Sequence, residues 1–288
     1  MGGIFFLGSG SLGSAALRSL LTARLPVVAA FDARRSDGEE TDANQHSVTL
    51  LARQAELPVL NAPNLNRGEA LAALVRYRPD VLVVASCPYI LKPHALAAAG
   101  VAINVHPSLL PKYRGPNPLF WVLRNAEPTT GVTLHLMTAG VDSGPVLWQE
   151  PVPVTPGESG EELLTRTLQV VEQHTGDVIR RYLAGGLEPV PQQEAEATHQ
   201  GNPTWQDVQV DLNWSCRRIY AFVRGVRQWV PLYLRMGDLL VEITDAALTG
   251  EGERPPDSLP PYAGPGWVEA QAGSSVLQLH LGNRMEVP

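Results

Sequence analysis

Three side chains in this sequence have the types and spacing for acyl transfer: the amide of Asn104, the imidazole of His106 and the carboxylate of Asp142. An amide N–H can donate to a carbonyl oxygen as that oxygen gains charge, and an imidazole can take up or relay a proton. A nearby carboxylate sets the ring's tautomer and favours its charged form. Asn104 and His106 are two residues apart, which in an extended backbone puts them on the same face. Val101, Ile103 and Val105 occupy the alternate positions and suit the interior. Pro107 cannot donate to a sheet ladder and Pro111 follows closely, so the strand is expected to end at His106 and enter a stiff turn. The two polar groups then emerge at a strand's carboxyl end, where open parallel sheets bind their ligands. A second strand is expected over residues 131–137, with Val132, Leu134 and Leu136 alternating against Thr133 and His135. A glycine-punctuated loop then carries Asp142. His135 is read here as a satisfied structural histidine.

The elements that must hold these groups alternate between strand and helix. An apolar strand at residues 4–7 runs into Gly8-Ser-Gly10-Ser-Leu-Gly13 and an apolar helix, and Asp32 closes the next strand. That arrangement matches a dinucleotide-binding turn with a ribose-binding acid, and it equally matches a tight strand-to-helix turn that needs small residues. Helices are expected at 47–55 and 69–77, and a short strand at 58–60. The unbroken apolar run Val81-Leu-Val-Val-Ala85 suits a strand covered on both faces. The pattern predicts an α/β fold, a Rossmann-like doubly wound, mostly parallel sheet. A long amphipathic helix at 158–183 follows, with Leu163, Leu164, Leu168, Val171 and Ile179 on its stripe. Residues 188–204, rich in Pro, Gln and Glu, read as a linker. Beyond them lie a helix and short strands at 232–236, 239–243, 267–270 and 276–281, the pattern of a smaller β-rich, open-barrel-like domain. The expected division is therefore 1–187, 188–204 and 205–288.

The ordered string Asn104-x-His106-Pro-Ser-Leu-Leu-Pro111, Lys-Tyr-Arg-Gly115, Gly131-Val-Thr-x-His135 and Asp142-Ser-Gly144 resembles the signature of the folate-dependent formyltransferases. These include enzymes acting on methionyl-tRNA, glycinamide ribonucleotide and amino sugars. The likeness is dense over residues 80–155 and looser from residue 1 to about 245. It implies the formyltransferase fold, with 10-formyltetrahydrofolate as co-substrate and Asn104, His106 and Asp142 as the catalytic groups. By the same resemblance, Tyr89, Ile90, Leu91, Ser108, Leu109, Leu110, Pro111, Ala139, Gly140 and Val141 would border the folate. Lys112, Tyr113, Arg114 and Asn117 would face the acceptor amine. The resemblance further implies that Asn104 holds the formyl oxygen while a protonated His106 stabilises it or relays a proton.

Composition bears on the acceptor. The 288 residues carry 22 Lys and Arg against 29 Asp and Glu, a net charge of −7, so no global basic field draws in nucleic acid. Residues 33–45 hold two basic and four acidic side chains, where the resembling tRNA enzymes carry a basic loop. From 203 to the end there are seven Arg and no Lys against ten Asp and Glu, a poor footprint for a tRNA stem. A small amine, such as a nucleotide-linked amino sugar or an amino-acid-derived amine, is the expected acceptor. Methionyl-tRNA is the alternative, and an NAD-dependent oxidoreductase or nucleotide-binding module is the alternative of another class. Two cysteines, no apolar run of ~18 residues and no leader lead to the expectation of a cytoplasmic protein without membrane contact. The histidines and cysteines show no metal-ligand spacing, so no metal is expected. Oligomeric state is open at this level.

Overall fold

The computed structural model describes residues 3–33, 47–60 and 64–285. Apart from Ala33, the acidic loop at 33–45 lies outside these. The chain divides into two compact units. One comprises Met1–Gly115, Gly131–Val152 and Arg166–His199; the other comprises Pro116–Thr130, Pro153–Thr165 and Gln200–Pro288.

In the first unit β1 (Ile4–Gly8), β2 (Val27–Asp32), β3 (Val59–Leu60), β4 (Val81–Ala85), β5 (Val101–His106), β6 (Thr129–Leu136) and β7 (Val146–Pro153) form one seven-stranded sheet in the order β3-β2-β1-β4-β5-β6-β7. The first five strands pair parallel and β6 runs antiparallel to β5. Apolar side chains on alternate positions feed two separate cores. Ile4, Phe6, Val81, Val83, Ile103 and Val105 pack on one face, with α1 (Gly10–Thr22), α2 (Val48–Gln54) and the later part of α6 (Gly160–Leu183). Phe5, Leu7, Leu82, Val84 and Ala102 pack on the other with α3 (Gly68–Tyr77). Coverage of both faces explains why β4 has no polar position at all. Ser47 caps α2 by accepting from the Leu50 N–H, one of the orphan donors of a helix start.

The second unit contains α5 (Pro118–Arg124), β8 (Gln209–Val210), α7 (Cys216–Val226), β9 (Leu232–Met236), β10 (Leu239–Thr249), β11 (Gly266–Ala272) and β12 (Ser275–Met285). Its strands form a five-stranded sheet in the order β11-β12-β10-β9-β8. Ile219, Phe222, Val223 and Val226 of α7 are fully buried. The division differs from the sequential one expected at 187 and 204. Residues 116–130 join the later sheet because α5 packs on α7, with the Phe120 and Phe222 rings 6.2 Å apart. Residues 153–165 join it because Gly160 lies against the Gly225 carbonyl, where a Cβ would come within 2.1 Å. Residues 188–199 belong to the first unit and form no free linker; Val190 and Val146 exchange both backbone hydrogen bonds at 2.8 Å. No helix among the described residues is long and apolar enough to cross a membrane.

Candidate active site

The strand order reverses direction between β1 and β4, and the loops that leave the carboxyl ends of β1, β4 and β5 open there. Asn104 pairs directly opposite His135, and His106 opposite Thr133, across the β5–β6 ladder. Register alone therefore puts His135 beside the amide. Asp142 lies on the loop after β6 with φ of 48°, a left-handed conformation that costs a non-glycine residue about 1 kcal/mol or more. Gly144 fixes that loop's exit, since a Cβ there would fall 1.8 Å from the Leu136 carbonyl oxygen.

These elements bring the expected trio together. The Asn104 amide donates to Asp142 Oδ1 at 3.2 Å and approaches His135 Nε2 at 3.2 Å. Asp142 Oδ2 accepts from the Gly115 N–H at 2.9 Å and stands 3.6 Å from His106 Nδ1. His106 Nε2 lies 2.8 Å from the Tyr113 carbonyl oxygen. A carbonyl only accepts, so Nε2 carries the proton and in the neutral ring Nδ1 presents its lone pair toward Asp142. His135 Nδ1 donates to the Leu136 carbonyl by the same logic, which leaves Nε2 to accept from Asn104. His135, read from sequence as structural, thus touches two of the three candidate groups; its Nε2 is also 3.5 Å from Asp142 Oδ1.

Burial pushes the His106 pKa down, and this outweighs the Asp142 carboxylate and the Tyr113 carbonyl, which push it up; His135 adds to the downward push. Burial thus favours the neutral form of the ring and Asp142 its charged form. Burial raises the Asp142 carboxyl, yet His106 and the Gly115 N–H hold it well below the ordinary range. Its ionisation does not require a charged His106, because the Gly115 and Asn104 donors are present in either case. The disposition is a neutral base beside a firmly ionised carboxylate, with an amide donor at 3.2 Å. Both Asn104 bonds are long, and a developing oxyanion would compete for one of these hydrogens with a shorter, charge-assisted bond.

The residues expected to border the folate fall into two groups. Ile90, on the loop leaving β4, is 68% exposed, Val141 on the Asp142 loop is 45% exposed, and Ala139 and Gly140 are exposed beside it. Large apolar side chains bare to water at a sheet's carboxyl edge fit the faces of a flat heteroaromatic ring. Leu109 and Pro111 are half-buried. Ser108, Leu110 and Leu91 are buried, and Tyr89 packs partly on the Leu91 core. Ser108 donates to the Lys112 carbonyl and its own carbonyl accepts from Thr133 Oγ1, so this stretch serves as scaffold. Burial also pushes the Tyr89 hydroxyl up to about 12 and the Cys87 thiol up to about 11. The β4 loop is held by Asn66, which sequence reading passed over. Its amide donates to the Ile90 carbonyl at 2.9 Å and accepts from the Lys92 N–H at 2.7 Å.

Of the residues expected to face the acceptor, Lys112 is exposed and Tyr113 is buried. Arg114 is 1% exposed, its guanidinium taken up by Gln192 and Glu194. Asn117 belongs to the second unit, where its amide donates to Asn202. The glycine turn after β1 has a packing explanation. A Cβ on Gly8 would fall 2.8 Å from the Ala85 carbonyl and one on Gly13 3.0 Å from Gly8, while only Gly10 has positive φ. Asp32, the supposed ribose ligand, accepts from the Thr49 N–H and hydroxyl instead. Among the described residues no group of three His, Cys, Asp or Glu is placed to hold a metal ion.

The formyl transferase family model matches residues 4–179. The methionyl-tRNA formyltransferase of Chloroflexus aurantiacus is 30% identical over 279 residues, covering 96% of this chain and 90% of the relative. That of a Roseiflexus species is 35% identical over 236 residues, covering 78% and 70%. The solved N-formyltransferase of Helicobacter canadensis, in complex with folinic acid and dTDP-3-aminofucose, superposes with a TM-score of 0.69 at 16% identity, covering 98% of this chain and all of that one. The chain belongs to the folate-dependent formyltransferase family, and its alternating sheet is that family's fold.

Proposed function

We propose that the protein transfers the formyl group of 10-formyltetrahydrofolate to the primary amine of a small acceptor, in the class of nucleotide-linked amino sugars and amino-acid-derived amines. The observation that carries the chemistry is the convergence of Asn104 and His106 on the Asp142 carboxylate, at 3.2 and 3.6 Å. When bound, the folate supplies an activated formyl carbon. Asn104 donates to the formyl oxygen as it gains charge. His106 Nδ1, neutral and aimed toward Asp142, takes the proton that the amine sheds, and Asp142 steadies the resulting imidazolium. The proton then passes to the departing folate nitrogen. Ile90 and Val141 supply apolar cover for the pterin.

The small acceptor is supported by how the arginines of residues 203–288 are spent. Arg217 bonds the Glu251 carbonyl and Glu253, and Arg218 lies on the Trp214 ring at 4.2 Å. Arg224 bonds the Gly157 carbonyl, and Arg227 bonds Thr244 and Asp245. Four of the seven are engaged within the protein, two of them with carboxylates, which leaves fewer guanidiniums free to hold phosphates. The second reading is methionyl-tRNA as acceptor, favoured by the names of relatives that span 90% of their own length in the match. Turnover of 10-formyltetrahydrofolate with a panel of amino-sugar nucleotides, amino-acid amines and charged initiator tRNA separates the two. Formylation of a small amine at micromolar to millimolar KM supports the first. Formylation of the tRNA alone, with affinity that falls steeply with salt, replaces it with the second.

A further inference from the structure

We infer that Gln192 is a positioning residue that sets the reach between Asp142 and His106; the inference rests on the acyl-transfer reading of that pair. The Gln192 amide uses its full hydrogen-bonding capacity. Its Nε2 donates to the Asp142 carbonyl at 2.8 Å and to the Gly144 carbonyl at 2.7 Å. Its Oε1 accepts from Arg114 Nε at 3.1 Å and Nη2 at 2.8 Å. Two donors on one side and two carbonyls on the other fix the amide in one orientation, since a flip would set donors against donors. Arg114 is held in turn by both Glu194 oxygens, at 3.0 and 2.7 Å.

The same segment also braces the other catalytic group. The Thr198 carbonyl accepts from the Arg114 N–H at 2.9 Å, and its hydroxyl accepts from the Tyr113 N–H at 2.8 Å. Tyr113 is the residue whose carbonyl receives His106 Nε2–H. One stretch of chain, residues 190–199, therefore ties down the loop that holds His106 and the loop that carries Asp142. The Asp142 loop needs such a tie. Its φ of 48° is strained, and Gln192 grips the backbone immediately after that torsion, at the carbonyls of Asp142 and Gly144. Misplacement of a catalytic group by about 1 Å costs on the order of 100-fold in rate.

Two variants test this. Gln192→Met keeps length and volume but makes none of the four bonds. Gln192→Glu still accepts from Arg114 but cannot donate to the two carbonyls and repels them. Both are expected to lose roughly 100-fold in kcat while KM for 10-formyltetrahydrofolate changes less than about threefold. In Gln192→Met the titration midpoint of the His106 ring, followed by NMR of labelled histidine, is expected to fall below the wild-type value. Asp142 and His135 are the ionisable groups facing that ring, and the carboxylate that raises it would have withdrawn. Wild-type kcat and an unmoved His106 titration in Gln192→Met would overturn the inference. So would recovery of kcat in Gln192→Glu, which would show that only Arg114's acceptor matters. The NMR readout needs no substrate. If wild type formylates no amine, the proposed function fails, while the His106 shift still decides whether Gln192 sets the distance.

Discussion

Replacing Asp142 by asparagine removes one charge with almost no change in shape. The carboxylate stands 3.6 Å from His106 Nδ1, and at an effective dielectric of ~20 unit charges at that separation attract by about 5 kcal/mol. That corresponds to roughly 3 pK units in the basicity of the ring. The amide dipole of asparagine recovers part of it, so the expected loss in kcat is about 100- to 1000-fold. Asparagine also has one acceptor oxygen where Asp142 uses two, so either the Gly115 N–H or the Asn104 amide loses its partner. The assay is steady-state formyl transfer from 10-formyltetrahydrofolate, run beside a thermal melt and the His106 ring titration. If the imidazole accepts the proton, kcat and the His106 midpoint fall together. A variant that keeps kcat within threefold of wild type while its His106 midpoint drops would refute a role for the imidazole as proton acceptor.

Asn104→Ala removes the amide donor, and kcat is expected to fall about 100- to 1000-fold with the fold intact by circular dichroism. His106 has a lowered pKa when folded, so below about pH 6.5 the unfolded chain binds a proton that the folded chain refuses, and stability falls as pH drops from there toward the folded value. Asp142 has the opposite role, stabilising above about pH 4 and losing that contribution only as pH falls further toward its depressed value. Melts of wild type and His106→Gln between pH 7 and 5 should therefore converge as pH falls. Gly144→Ala places a Cβ against the Leu136 carbonyl, which cannot yield as a side chain can. It should lower the denaturant midpoint by the equivalent of about 1–3 kcal/mol and reduce kcat by displacing the Asp142 loop.

The alternating strands and helices of the first unit could be read from the sequence because each strand feeds two cores and each helix carries a clear stripe. β4, β9 and α3 fall within a residue of where periodicity put them. The trio could be read for a similar reason: two-residue spacing on β5 fixes a shared face, and prolines mark its end. What the sequence did not disclose depends on contacts between distant segments. Arg114, a charged residue in a turn, reads as a solvent-facing ligand for substrate. Its burial is possible only because Gln192 and Glu194, almost eighty residues away, satisfy its donors. Residues 188–204 read as a linker because Pro, Gln and Glu are common in linkers, and only the bridges from Val190 to Val146 and from His199 to Arg114 reveal a brace. His135 could have been found by pairing β5 with β6, since the register sets it opposite Asn104. Two units were expected, but that residues 116–130 and 153–165 belong with the later one was not legible, because α5 and α7 are far apart in sequence and meet only in the folded unit.

The most direct test of the central claim follows an isotope. With 10-formyltetrahydrofolate labelled in the formyl carbon and the amine panel present, the account predicts that the label leaves folate in equal amount with its appearance as an N-formyl group on an acceptor, and that Asn104→Ala slows both alike. Label recovered only as free formate, or remaining on folate with every amine and with charged initiator tRNA, would contradict it.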